Sequence, residues 1–310
     1  MTDNKIIDKI EHIIYIMFEN NSFHHLFGGF SEFNLPNQIN YPSTSTTKTM
    51  TELDLPHSFN YVIKQVGIDK NKKPNNQGFT KTLIEFDKKE KISSTKTKKR
   101  IIEQHSYLKP GTLPIFHKLA KEYTICNNYF SSYPGGTFCN RFFALTGTSK
   151  GEVYNLVDID LQKNITIDPY IQDQITIFDR LNEKNISWKC YHSGTPLVGL
   201  LSRIWLPQNL VNLKKMENFY KDIKNNNLPT FSLIEPKFIG KGQNDMHPPT
   251  DLLCGDNLLG NIYTALRSNP KIWNKCLLIV NFDEHGGFYD GVPPPKTIAP
   301  DSYTQNYLFN

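Results

Sequence analysis

An unbroken apolar run, Cys276–Phe282 (CLLIVNF), stops abruptly at Asp283, Glu284, His285, Gly286 and Gly287, and this junction restricts the choice of fold more than any other stretch. A short, almost wholly apolar segment reads as a strand covered on both faces, the kind found in the buried middle of an α/β sheet. In open α/β folds ligands bind outside the carboxyl ends of the strands, so an acidic pair at that end is placed for chemistry. The two glycines let the chain turn sharply there. Ile13–Phe18 (IIYIMF) repeats the arrangement and runs into Glu19, Asn20, Asn21 and Ser22. Glu19, Asn20, Asp283 and Glu284 together offer carboxylate and amide oxygens, which suit a hard divalent cation, with zinc admitted if a histidine joins them. Each junction taken alone also reads as a solvated turn, where Asp, Asn and Ser are common.

Tyr133–Arg141 (YPGGTFCNR) leads into an apolar stretch that reads as the start of a helix. Two glycines before Thr137 allow close backbone approach, and the free N–H groups of a helix start favour an anion such as phosphate. Arg141 adds a planar, bidentate contact for the same anion. Thr137 is therefore a candidate nucleophile, although a Thr at a helix start also serves as a plain cap.

The chain's 310 residues, 38% hydrophobic, suffice for one sizeable core, and since the motifs lie at both ends, residues 1–310 read as a single discontinuous domain. Helices are expected at Thr112–Tyr123, Ile175–Lys184 and Asn257–Ser268, and their alternation with strands indicates α/β architecture. The net charge of +5 is concentrated in Lys64–Arg100, where 12 basic and 4 acidic residues leave a local excess of +8 and the remainder near −3. This Lys-rich surface insert reads as a solvated loop with a secondary capacity for contact with an anionic membrane surface. No nucleic-acid partner is expected. Cys126, Cys139, Cys190, Cys254 and Cys276 form no CxxC pair and read as reduced thiols. The N-terminal stretch has no small-residue cleavage site, and no apolar run reaches membrane-spanning length, so the expected location is cytoplasmic or intracellular.

Taken together and in order, these segments resemble the phosphoesterase family that includes bacterial phospholipases C, plant non-specific phospholipases C and an acid phosphatase. The resemblance runs through Ile10–Phe30, LDLPHSF around His57, Leu113–Gly151, Thr176–Tyr191, FSLIEPKF, the NDMHPPTDLLCGDNLLG stretch and FDEHGGFYDGVPPP. It implies an alkaline-phosphatase-like fold, a mixed sheet flanked by helices. Carried over, Glu19, Asn20, Asp283 and Glu284 hold one or more divalent metal ions, Thr137 attacks phosphorus, and His57 and His247 are catalytic. Asn140, Arg141 and His192 are expected on the substrate side, with His285 and Asp290 in support. His25 and His117 read as packing residues.

The implied function is metal-dependent hydrolysis of a phospholipid or another phosphate ester, most simply as a phospholipase C. A phosphomonoesterase or a catalytically inactive remnant that binds a partner are the alternatives. Asn21 stands where the family has Arg, His24 where it has Asp, Cys139 for Pro, Asp256 for Glu and Gly291 for His. The NYLFN ending, Asn306–Asn310, stops where family members continue, so the domain reads as truncated.

Overall fold

The computed structural model describes residues 9–33, 35, 41–48, 53–71, 73–152 and 173–303. The Asn306–Asn310 ending and residues 1–8 lie outside them. The chain packs as two compact, discontinuous units, one from Met1–Phe18, Pro169–Asp245 and Cys254–Asn281, the other from Glu19–Asp168, Met246–Leu253 and Phe282–Asn310.

The first unit carries the main sheet. Strands β1 (His12–Phe18), β4 (Trp188–His192), β5 (Leu213–Lys215), β6 (Phe231–Glu235) and β7 (Cys276–Phe282) lie in the order β5-β4-β6-β1-β7. The β1–β6, β6–β4 and β4–β5 pairings are parallel. Parallel strands need crossovers, and helices supply them. The helices of this unit are α7 (Ile177–Glu183), α8 (Pro207–Leu210), α9 (Met216–Lys224), α10 (Leu252–Arg267) and α11 (Pro270–Trp273). Phe178 of α7 packs 4.3 Å from the Trp188 ring, and Phe219 of α9 lies edge-on 5.2 Å from Tyr191. Ile14, Ile16 and Phe18 of β1 are wholly buried, as an inner strand requires.

Both expected strands form within a residue of their expected bounds, and the helices expected at 112–123 and 175–184 form at Pro114–Glu122 and α7. Thr176 and Asp179 close α7 with a reciprocal capping box. The helix expected to begin at Asn257 begins at Leu252, where Asp251 Oδ1 accepts the Leu253 N–H at 3.0 Å. The expected place of β7 is corrected. β7 is an end strand of the described sheet, with Leu277 and Ile279 40% and 39% exposed, and not a central one. Its apolar composition signals a strand, but composition cannot report whether both sides are covered.

The second unit is mostly helical: α1 (Phe23–Phe27), α2 (Phe59–Val66), α3 (Phe79–Lys89), α4 (Ser94–His105), α5 (Pro114–Glu122) and α6 (Thr137–Thr146), with a small parallel pair, β2 (Ser43–Thr44) and β3 (Tyr107–Leu108). The Lys-rich stretch expected as a loop forms the end of α2 and all of α3 and most of α4. Its described lysines do face solvent, but Leu83 and Phe79 are buried, and Arg100 is 1% exposed against a wholly buried Asp87. Arg100 Nε lies 3.0 and 3.2 Å from the two Asp87 carboxylate oxygens, and its Nη atoms donate to the Leu53 and Asp54 carbonyls. Charge counting missed this because the apolar spacing inside the lysine run is sparse.

Candidate active site

Of the ten residues expected in the site, all but His192 fall in the second unit. His192 ends β4 with its Nδ1 against the Gly194 carbonyl, and burial lowers its pKa.

The two strand-end junctions are knitted together by backbone hydrogen bonds. Asn20 N–H and Glu284 N–H both donate to Asp283 Oδ1, at 3.2 and 2.8 Å, and Asn21 N–H donates to the Glu284 carbonyl at 3.2 Å. Asn20 adopts a left-handed φ of 54°, which Asn tolerates better than most residues. Gly286 and Gly287 make this approach feasible, with φ of +62° and +77°. A Cβ on Gly286 would sit 2.4 Å from the Asn20 carbonyl oxygen, and one on Gly287 2.6 Å from Leu55 Cβ. The glycines thus bring the segments at 19–21, 54–57 and 283–287 into contact.

Glu19, Asn20, Asp283 and Glu284 are each at most 5% exposed. Asn20 Oδ1, Asp283 Oδ2 and Glu284 Oε1 are buried without a hydrogen-bond partner. Glu284 Oε2 accepts the Gly286 N–H at 2.7 Å. Burial drives the Glu284 pKa well above the carboxylate range, and the neighbouring Asp283, Glu19 and Asp54 charges push the same way. Asp283 is raised by burial and drawn back by Arg141. Buried, unpaired oxygens are costly, and a divalent cation is the group that satisfies several at once. This donor set fits a hard cation.

Arg141 donates from Nη2 to Glu19 Oε1 at 3.3 Å, and its Nε lies 3.6 Å from Asp283 Oδ2. It therefore ties α6 to the oxygen cluster. Thr137 is four residues earlier on α6, on the same helical face and one turn closer to the N-terminus. Thr137 is not the cap, since Gly136 holds that position and no side chain caps the helix. Asn140 is turned onto the preceding loop: its Oδ1 accepts the Tyr133 N–H at 2.9 Å while Nδ2 donates to the Tyr133 and Gly135 carbonyls at 3.1 and 2.9 Å. Its amide positions the loop that presents Thr137.

His57 Nδ1 donates to the Leu55 carbonyl at 2.7 Å, and its Nε2 lies 3.5 Å from Asn20 Nδ2. His247 lies across from it, with ring centroids 6.4 Å apart and Nε2 3.7 Å from Asp54 Oδ2. Asp54 was not singled out in the sequence, although it precedes His57 by three residues in LDLPH. His285 and Asp290 have structural roles. His285 Nδ1 accepts the Gly287 N–H at 2.8 Å, and the Asp290 carboxylate accepts the Val292 and His24 N–H groups. His25 stacks 4.0 Å from Phe288, and His117 donates to the Leu26 carbonyl, as packing residues do.

The departures are absorbed differently. Asn21 donates to the Glu19 and Met246 carbonyls at 2.9 and 3.2 Å, joining the site to the segment that carries His247. His24 is wholly buried, edge-on to Tyr41, Tyr107 and Tyr289, with neither ring nitrogen hydrogen-bonded. Burial lowers its pKa to about 4, so it brings no charge to the site at neutral pH.

The buried carboxylate–amide cluster and the threonine that begins α6 thus belong to the same unit. The phosphoesterase family profile matches residues 10–305, and the chain belongs to that family. It is similar to non-specific phospholipase C6 of Arabidopsis thaliana, 30% identical over 94% of this chain and 56% of that protein. Non-specific phospholipase C1 of the same plant is 29% identical over 96% of this chain and 56% of its own length. Phospholipase C B of Mycobacterium tuberculosis is 32% identical over 59% of this chain and 37% of its own. The chain spans about half the length of the plant relatives it matches.

Proposed function

We propose that this protein hydrolyses phosphoric esters with Thr137 as nucleophile, phosphodiester lipids being the substrate class, and that its site requires a divalent cation on Glu19, Asn20, Asp283 and Glu284. One observation carries the reading: Asn20 Oδ1, Asp283 Oδ2 and Glu284 Oε1 are buried without a hydrogen bond, and Arg141, one helical turn from Thr137, pairs with Asp283 and Glu19 of the same cluster. A cation held by Glu19, Asn20, Asp283 and Glu284 would supply positive charge that neutralises the carboxylates and favours phosphate binding and loss of the threonine proton. Thr137 Oγ gives up its proton to water and forms a bond to phosphorus as the bond to the leaving oxygen breaks and that oxygen takes up a proton; water then cleaves the resulting threonine phosphodiester, releasing the phosphorylated head group and restoring the Thr137 hydroxyl. Arg141 steadies the carboxylates and adds positive charge beside the anion. Asn140 holds the Tyr133–Gly136 loop so that the α6 N–H groups face the phosphate. The relatives' phospholipase names support a lipid substrate, and the exposed lysines of α3 and α4 suit contact with an anionic membrane surface.

The test is hydrolysis of a chromogenic phosphorylcholine diester, compared with the corresponding monoester, with and without chelator. Thr137→Ala is expected to lower kcat by about 10³-fold or more, and quenched wild-type reactions with the diester to contain phosphorylcholine esterified to Thr137. A preference for the monoester would favour a phosphatase. Absence of turnover from folded, metal-supplemented protein would favour a binding remnant.

A further inference from the structure

Residues 197–215, LVGLLSRIWLPQNLVNLKK, link β4 to β5 and carry three basic residues and no acid. Two short 3₁₀ turns, Leu197–Leu200 and Ser202–Trp205, run directly into α8. The inner side of this segment is seated on the first unit. Val198, Leu201 and Ile204 are wholly buried, and so is Asn209, whose amide donates to the Arg203 carbonyl at 2.7 Å and accepts from Asn182 Nδ2 at 2.8 Å. Arg203 Nε pairs with Asp179 Oδ2 at 2.8 Å.

The outer side is apolar, an inversion of the usual order in which asparagine faces water. Trp205, Leu206, Leu210 and Val211 are 52, 37, 40 and 63% exposed, four large apolar side chains within seven residues. The Leu210 N–H donates to the Leu206 carbonyl at 3.1 Å, so these two side chains share one face of the turn. A single exposed leucine is ordinary, but a cluster marks a surface that meets something apolar. The Trp205 Nε1–H is already spent on the Gly199 carbonyl at 2.8 Å, and a Cβ on Gly199 would sit 3.2 Å from the indole ring. Lys214, half-buried, and Lys215, exposed, follow the cluster.

We infer that this segment is a membrane-contacting surface: Trp205, Leu206, Leu210 and Val211 enter the boundary between headgroups and acyl chains of an anionic bilayer, and Lys214 and Lys215 meet its phosphates. The indole can leave water without forfeiting a hydrogen bond, because its N–H is satisfied within the chain. Specific protein interfaces carry about one hydrogen bond per 100–200 Å², whereas the Arg203 guanidinium and the Asn209 amide are committed inward. What faces out is hydrocarbon beside lysines with no acid among them, which is complementary in polarity and charge to an anionic lipid surface. The exposed lysines of α3 and α4 offer attraction alone, which salt screens, while apolar insertion survives salt. The choice of a bilayer as occupant rests in part on the proposed hydrolysis of phosphodiester lipids, but the contact itself requires no turnover.

The experiment measures cosedimentation of the full chain with phosphatidylcholine vesicles containing phosphatidylserine, in low and high salt with chelator present, together with quenching of tryptophan fluorescence by brominated acyl chains. Wild type is expected to bind, to remain partly bound in high salt and to be quenched. Trp205→Phe should still bind but lose the quenching, which assigns it to that indole and not to Trp188 or Trp273. Leu210→Ser with Val211→Ser should weaken binding about tenfold, while turnover of the soluble chromogenic diester stays at the wild-type level. Absence of wild-type binding, binding abolished by salt, bound wild type that is not quenched, or unchanged binding in the double variant would overturn the inference. So would self-association without vesicle binding that the double variant removes, since the surface would then join two copies. A chain that binds vesicles and is quenched there, yet hydrolyses no ester, would leave this surface standing and count against the proposed function.

Discussion

Gly286 shows how narrowly the site is defined at the level of single residues. Its φ of +62° and its approach to the Asn20 carbonyl exclude a side chain for two independent reasons. Gly286→Ala is expected to destabilise the fold by about 2–4 kcal/mol and to weaken divalent-metal binding, both measurable by urea unfolding at fixed metal concentration. An unchanged midpoint would mean that the turn relaxes freely. The acids and glycines of this junction are legible in sequence because strand, acid and glycine are contiguous. Asp54 is not, since its significance lies in a partner at His247, almost two hundred residues away, and no local pattern announces that meeting. Asn140 was expected on the substrate side, whereas its amide faces its own loop, because an amide can face a ligand or its own loop with the same sequence around it.

Among elements, the α3–α4 pair departs furthest from its sequence reading. Lysine density suggested solvent, and the exposed faces agree, but the pair folds because Arg100 and Asp87 satisfy each other inside it. Buried pairs are strongly destabilising when one partner is removed, since the other is left charged and alone. Arg100→Met should therefore lower stability by about 3–5 kcal/mol, and Arg100→Met with Asp87→Leu by distinctly less. A double-mutant cycle from denaturant midpoints checks this, and additivity of the two single changes would show that the pair is not coupled. Because Arg100 also holds the Asp54 carbonyl, the single variant is expected to lose activity beyond its loss of folded protein. α6 was read correctly as a helix start, and the structure removes the capping role for Thr137 by giving it to Gly136.

For the molecule as a whole, buried neutral histidines set a limit in acid. Burial lowers the pKa of both His24 and His25 from 6.5 to about 4. The folded state then binds fewer protons than the unfolded chain, so their contribution is intact above pH 6.5, is lost as pH falls, and levels off near pH 4. Each withdraws about 2 kcal/mol of stability by pH 5. Urea midpoints at pH 7 and pH 5 should show the decline, and His24→Phe should flatten it. An equal slope in that variant would place the proton uptake elsewhere. Among the described residues, no helix is long and apolar enough to cross a membrane, and the α/β order of the sheet followed from the alternation of apolar runs.

The position of β7 is the feature that sequence alone misjudged at this scale. An end strand with Leu277 and Ile279 near 40% exposed offers a ready template for another strand. The protein should therefore self-associate through that edge as concentration rises, visible as a shift in sedimentation coefficient, and Ile279→Lys should hold it monomeric. The seven residues that lead into Asp283 and Glu284 would then also be the seam along which two chains meet.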